Sequence, residues 1–155
     1  MSEVRLRDCV AADLETFYAN ETDADAARRV NFPPRTREAF LAHWNDRILA
    51  DPGVVKRTVV VDARVAGNIV CWDAEGEREV GYWFGREFWG RGIGTAAVRA
   101  FVDGVPWRPL YAKAAAANIA SVRLLEKCGF AFDSAFAAPN AYGDGEVEHV
   151  KTRLD

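Results

Sequence analysis

Residues Trp89–Arg99 read WGRGIGTAAVR, with glycines at 90, 92 and 94 running straight into an amphipathic helical pattern. Glycine lets the backbone turn tightly and lets a bulky ligand approach the peptide plane. The first turn of a helix leaves unpaired N–H groups pointing outward, with the positive end of the helix dipole behind them. The stretch therefore predicts an anion site of the kind that holds a phosphate or pyrophosphate. Two familiar phosphate motifs fail against it. A P-loop needs G-x-x-x-x-G-K-[ST], but Gly85–Gly92 reads GREFWGRG, with Arg91 at the lysine position and Gly92 where the magnesium-binding hydroxyl belongs. A dinucleotide fingerprint needs G-x-G-x-x-G, which the spacing Gly90, Gly92, Gly94 does not supply.

A second segment narrows the reading. Asn118–Phe130 reads NIASVRLLEKCGF and follows a short strand-like run at Leu110–Ala114. The pair, GRGIG opening one helix and N-x-x-S-x-x-x-L-E-K-x-G-F on the next, resembles the GNAT superfamily, the general-control-type N-acetyltransferases. Trp89 and the preceding EVGYWF, Glu79–Phe84, resemble the branch that includes ribosomal-protein N-terminal acetyltransferases. The resemblance implies that the glycine turn binds the pyrophosphate of acetyl-CoA. It also implies that the acetyl group passes directly to a primary amine, with no covalent enzyme intermediate.

The length and composition suit such a domain. With 155 residues, half of them hydrophobic, the chain can bury a core; chains of this size hide roughly 68–70% of their unfolded surface. Apolar runs such as Ile69–Trp72 fall far short of the roughly 20 residues that cross a bilayer. MSEVRLRDCV carries no apolar signal core, so a soluble cytoplasmic protein without a membrane partner is expected. Cys9, Cys71 and Cys128 are scattered and form no C-x-x-C pair, which predicts reduced core residues rather than disulfides or zinc ligands. His43 and His149 are too isolated in sequence to suggest a metal centre or a Ser-His-Asp arrangement. A formal charge of −3 with dispersed basic residues argues against nucleic acid.

Periodicity predicts a strand at Val4–Arg7, a helix at Ala12–Asn20 with Asp13 near its start, and a short helix over Asp23–Arg29. Pro33 and Pro34 break the chain before Thr36, the N-cap of a helix to Ala50 whose stripe is Phe40, Trp44 and Ile48. Strands at Lys56–Val61, Val65–Trp72 and Glu79–Phe84 form an antiparallel meander turning near Asp62 and Gly76. The helix Thr95–Asp103 then leads to a parallel strand Leu110–Ala114. After the helix Ile119–Cys128, Gly129 stops the turn, and Phe130–Phe136 and Val147–Leu154 close a hairpin. The fold class is α/β (α+β): one GNAT-like domain over residues 1–155. Its centre is a mixed, mostly antiparallel twisted sheet of about six to seven strands, flanked by helices.

The resemblance and the chemistry together name the site. Backbone N–H groups from Arg91 through Ile93 and Gly94 to Thr95 hold the pyrophosphate, after Trp89 and Gly90, with the Arg91 guanidinium as an added charge. The pantetheine arm carries amides that pair like a strand with the edge at Tyr82, Trp83 and Phe84, where a backbone N–H polarises the thioester carbonyl. By resemblance, Asn118 lies beside that arm. An amine must lose a proton before it attacks, and Glu79 stands at the family position that often carries a catalytic glutamate. Many relatives have a tyrosine where this chain has Leu125, so Ser121, Tyr142 or water is left to protonate the thiolate. No metal is expected.

The acceptor is expected to be a cationic amine, because WDAEGERE places Asp73, Glu75, Glu77 and Glu79 together. The branch resemblance leans toward a peptide or protein N-terminus. The alternatives are a small-molecule amine, or a non-catalytic CoA-binding sensor module that has lost its acid at Leu125. Monomer and homodimer are both compatible with the sequence.

Overall fold

The computed structural model describes residues 3–155. Strand β1 (Val4–Asp8) leads through a 3-10 turn, Ala11–Asp13, to the helices α1 (Leu14–Glu21), α2 (Ala24–Arg29) and α3 (Arg37–His43). Then come β2 (Val55–Val61), β3 (Arg64–Ala74), β4 (Glu77–Phe84), α4 (Ile93–Asp103), β5 (Leu110–Ala115), α5 (Ile119–Lys127), β6 (Ala131–Pro139) and β7 (Glu146–Leu154). All seven strands form one sheet in the order β1-β2-β3-β4-β5-β7-β6. Only β4 and β5 are parallel neighbours; the other pairs are antiparallel.

Local chemistry places the helix ends. The Asp23 carboxylate accepts from the N–H groups of Asp25 and Ala26, and the Thr36 hydroxyl from that of Ala39, so both helices start where a side chain satisfies orphan donors. Helix α5 ends at Gly129 with φ +93°, its N–H bonding the Glu126 carbonyl while that of Phe130 reaches Leu125. The helix expected to run from Thr36 to Ala50 changes character instead. After His43 the turn widens into a π-helical segment, Trp44–Leu49, although Phe40, Trp44 and Ile48 still share one buried face.

Two apolar clusters hold the sheet from opposite sides. On one, α4 buries Ala97, Val98 and Phe101 against Val59, Ile69, Val80 and Leu110. On the other, Phe17 of α1 packs with Phe40 and Trp44. Phe17 and Phe40 are wholly enclosed, so truncating either to Ala costs about 3–5 kcal/mol. Cys71 and Cys128 are buried as expected, whereas Cys9 is only half-buried, at the edge of the second cluster. Asp13 is a charged group pulled deep between layers and fully partnered there. It accepts from both terminal nitrogens of Arg7 at 2.8 Å, from the Val10 N–H, and from the Thr58 hydroxyl at 2.7 Å. No described helix is long and apolar enough to cross a membrane.

Candidate active site

Strands β4 and β5 pair only at Arg78↔Leu110 and Glu79↔Tyr111. Beyond that point β4 bonds β3 alone and β5 bonds β7 alone, so the two parallel strands splay and the β4 edge from Val80 to Phe84 is left open. Side chains alternate across a strand. Val80 is buried in the core beside α4, and Tyr82 and Phe84 pack against that cluster. Glu79, Gly81 and Trp83 therefore face the opposite side, over which α1 and α2 lie.

The glycine turn stands directly after this edge. Gly90 and Gly92 have φ of +69° and +73°, and a Cβ on either would meet nothing within 4 Å, so the turn presents bare backbone to open space. Gly92 is the N-cap of helix α4, and the first intrahelical bond runs from the Ala96 N–H to the Gly92 carbonyl. The N–H groups of Ile93, Gly94 and Thr95 thus carry no helical partner, which is the cradle an anion requires. The Arg91 guanidinium lies back over the Phe88 ring and donates to the Glu87 carbonyl at 3.4 Å. Trp89 is a clamp for the turn: its indole N–H bonds the Phe84 carbonyl, and Arg29 and Arg86 both lie over its ring at 5.0 Å.

At the apex of the splay, a Glu79 carboxylate oxygen lies 3.2 Å from Lys113 Nζ, with the Glu79 side chain 15% exposed. Four residues along the same face, the Trp83 indole donates to the Asn20 carbonyl and meets Phe32 edge-on. On the other face, the Tyr82 hydroxyl is 2.6 Å from Ser121 Oγ, which joins β4 to the first turn of α5 across the open edge. Burial drives the Tyr82 hydroxyl up to about 12, against the opposing hydrogen bond of Ser121, so it stays protonated. Leu125, one turn beyond Ser121, is fully buried in the core. Asn118 is the N-cap of α5, half-buried, with a side chain that does not cap the helix. Tyr142 stands apart from Ser121, donating instead to the Phe32 carbonyl.

A cleft of about 410 Å³ lies on the α2 side, beyond the end of β5, lined in part by Arg28, Arg29, Asn31, Ala115, Asn140 and Tyr142. Its far wall is tied down. Asn31 bonds Pro139 and Ala141, Tyr142 bonds Phe32, and the Arg28 guanidinium lies 4.6 Å over the Tyr142 ring. These residues carry no motif, and up to 110 positions separate the bonded partners. Only the Asp23 cap and the adjacent Arg28-Arg29 pair hint at them in the sequence.

The acidic stretch proves largely paired. Glu77 accepts from Lys151 at 2.6 Å, which holds its carboxyl below the usual range, and Glu79 faces Lys113. Asp73 accepts from the Gly76 N–H within the turn. Glu21 was not singled out by the sequence pattern: it is buried on α1 with Oε1 unpartnered, and burial raises its carboxyl while nearby Arg35 opposes that shift.

Comparison with known proteins agrees with this geometry. The chain aligns over 97% of its length with 93% of an acetyltransferase of the GNAT family from Bacillus anthracis, at 19% identity and a TM-score of 0.81. The spermidine N-acetyltransferase from Vibrio cholerae, solved with CoA and spermine, superposes with a TM-score of 0.84 at 14% identity, covering 97% of this chain and 94% of that one. An aminoglycoside acetyltransferase in complex with coenzyme A gives 0.76 at 18% identity, covering 96% and 94%. A search of curated proteins found no match. The model of the acetyltransferase (GNAT) domain matches residues 3–131. With a splayed parallel pair, a glycine turn at a helix start and that match, the chain belongs to the GNAT acetyltransferase family and is an acetyl-CoA-dependent N-acetyltransferase.

Proposed function

We propose that this enzyme transfers the acetyl group from acetyl-CoA to the primary amine of a small molecule, with Glu79 as the base. The observation that carries the reading is where β4–β5 pairing stops: the last bonded pair includes Glu79, so the carboxylate sits where the open edge begins. Acetyl-CoA, when bound, supplies the activated thioester. The N–H groups of Ile93, Gly94 and Thr95 hold its pyrophosphate, and the free edge from Val80 to Phe84 offers N–H and C=O groups to its amide-bearing arm. A backbone N–H of that edge, at Trp83 or a neighbour, donates to the thioester oxygen as negative charge develops there. Glu79, on the α1–α2 face, takes the proton from the incoming ammonium directly or through water.

Ser121 supplies the hydrogen bond for the leaving thiolate. The Tyr82 hydroxyl behind it remains a donor because it does not ionise at neutral pH. This pair takes the place of the tyrosine that the sequence lacks at Leu125, whose buried side chain has no proton to give. Asn118, at the α5 start, lies beside the same arm.

A small acceptor is favoured over a peptide by the cleft. About 410 Å³ bounded by a tied hairpin suits a compact amine better than an extended chain. The likeness to ribosomal-protein N-terminal acetyltransferases stays a resemblance of sequence, carried by Trp89 and EVGYWF. Incubation with acetyl-CoA and a panel of amines, following free thiol and the mass of the N-acetyl product, tests the reading. Tight CoA binding with no transfer to any amine would support the non-catalytic sensor that the loss at Leu125 suggests.

A further inference from the structure

We infer that the cleft beside α2 recognises an anionic group, a carboxylate or a phosphate, on the acceptor amine, with Arg28 as its principal contact. The inference rests on the acetyl-transfer reading above and adds the acceptor's chemical class to it.

Four observations converge. The cleft lies on the side of the sheet that Glu79 faces, and Ala115 and Ala117 line it just before Asn118, so it adjoins the open end of the splay. Arg28 and Arg29 both line it, and neither forms an ion pair among the described residues. Asp25, the acid in the lining, is instead engaged by Arg86 at 3.3 Å, and Arg86 also holds Asp23 at 2.6 Å. The cleft is thus left with a surplus of positive charge. Finally, Arg28 is already oriented: its guanidinium lies over the Tyr142 ring, and that ring is fixed by the hydroxyl bond to Phe32. A planar cation backed by an aromatic face presents its remaining N–H groups outward in the fork that matches a carboxylate or phosphate. Asn31 and Asn140 add amides to the same wall.

The electrostatics therefore run opposite to the expectation drawn from WDAEGERE. That expectation placed an acidic field at the site, but Glu77 and Glu79 are answered by Lys151 and Lys113, while among the described residues no carboxylate answers the guanidinium groups of Arg28 and Arg29. Arg29 lies over Trp89, next to the glycine turn, and is within reach of either ligand's domain of the site. Arg28, turned toward the hairpin, reports on the acceptor alone.

The test compares amines that differ in one anionic group. L-phenylalanine against phenethylamine probes the carboxylate, and O-phosphoethanolamine against ethanolamine probes the phosphate. Acceptor KM and acetyl-CoA KM are measured for the wild type, Arg28→Gln and Arg28→Lys. Arg28 is exposed, so these variants fold, and circular dichroism verifies it. The expected result is that at least one anionic amine is preferred by roughly 10- to 100-fold in kcat/KM, the range of hydrogen bonds to charged groups. Arg28→Gln should erase that preference through acceptor KM, and Arg28→Lys should restore part of it.

Preference for the partner that lacks the anionic group in both pairs would overturn the inference. So would a preference that Arg28→Gln leaves intact, or a change confined to acetyl-CoA KM, which would give the guanidinium to the cofactor. Calorimetry with CoA separates the two levels of failure. No CoA binding strikes the acetyl-transfer reading itself, whereas CoA binding with preference for the amines that lack an anionic group strikes only the anion site.

Discussion

Replacing Glu79 with Gln keeps the size of the side chain and removes the base. The structure limits what else the change can do. Glu79 meets Lys113 at 3.2 Å, and the lysine side chain is 44% exposed. A partly solvated pair of this kind is worth about 0.2–1 kcal/mol. Losing it removes a small part of a total stability of about 5–15 kcal/mol, so the folded fraction stays near one. Removing a general base costs on the order of 10²-fold in rate, which corresponds to about 2.7 kcal/mol of barrier. That is well above anything the ion pair supplies.

The control is Lys113→Gln, which breaks the same pair and leaves the carboxylate. Thiol release is followed at saturating acetyl-CoA from about pH 6 to about pH 9, with CoA affinity from calorimetry. We expect Glu79→Gln to lose about 100-fold in kcat with CoA affinity retained, and Lys113→Gln to lose less than about fivefold. Unchanged activity of Glu79→Gln across that range, or equal losses in the two variants, refutes the base.

Three further outcomes follow from the same geometry. Gly92→Trp should abolish CoA binding by filling the turn. Gly76→Trp, at φ +91° with equally open space in the β3–β4 turn, carries the same left-handed strain and should bind normally; equal behaviour of the two would refute the cradle. Tyr82→Phe should lower kcat by about 10-fold while acetyl-CoA affinity holds, and should be non-additive with Ser121→Ala, because one 2.6 Å hydrogen bond couples them; strict additivity would show that the hydroxyls act separately. Asp13→Asn should cost about 1.5–3 kcal/mol near neutral pH, toward the lower end because Arg7 is 40% exposed. Burial opposes ionisation of Asp13, but the bonds from Arg7, Val10 and Thr58 outweigh it and lower its pKa. That stability is therefore present above the ordinary carboxylate value of about 3.9 and is lost as pH falls through the folded value. Urea midpoints should converge for the two proteins in acid; a difference that does not change with pH would contradict the ionised network.

Much of this protein is local and therefore legible in the sequence. The turn at Gly90–Gly94, the caps at Thr36 and Gly129, the alternation of Glu79–Phe84 and the stripe of Phe40, Trp44 and Ile48 each depend on neighbours within a few residues. Steric limits on backbone angles and the periods of helix and strand act at that range, and they sufficed to place the strands, the helices and the glycine turn; Glu79 as a candidate base comes from the resemblance to the family instead. What the sequence did not contain was which charges meet. The acids of WDAEGERE read as a field, yet Lys151, 74 positions from Glu77, and Lys113 answer two of them once β5 and β7 are laid beside β4. Likewise Tyr82 finds Ser121, and Asn31 and Phe32 find the β6–β7 hairpin, only through the tertiary fold. Coulomb and hydrogen-bond energies depend on distance in space, and pairs so far apart along the chain have no distance until the sheet has assembled.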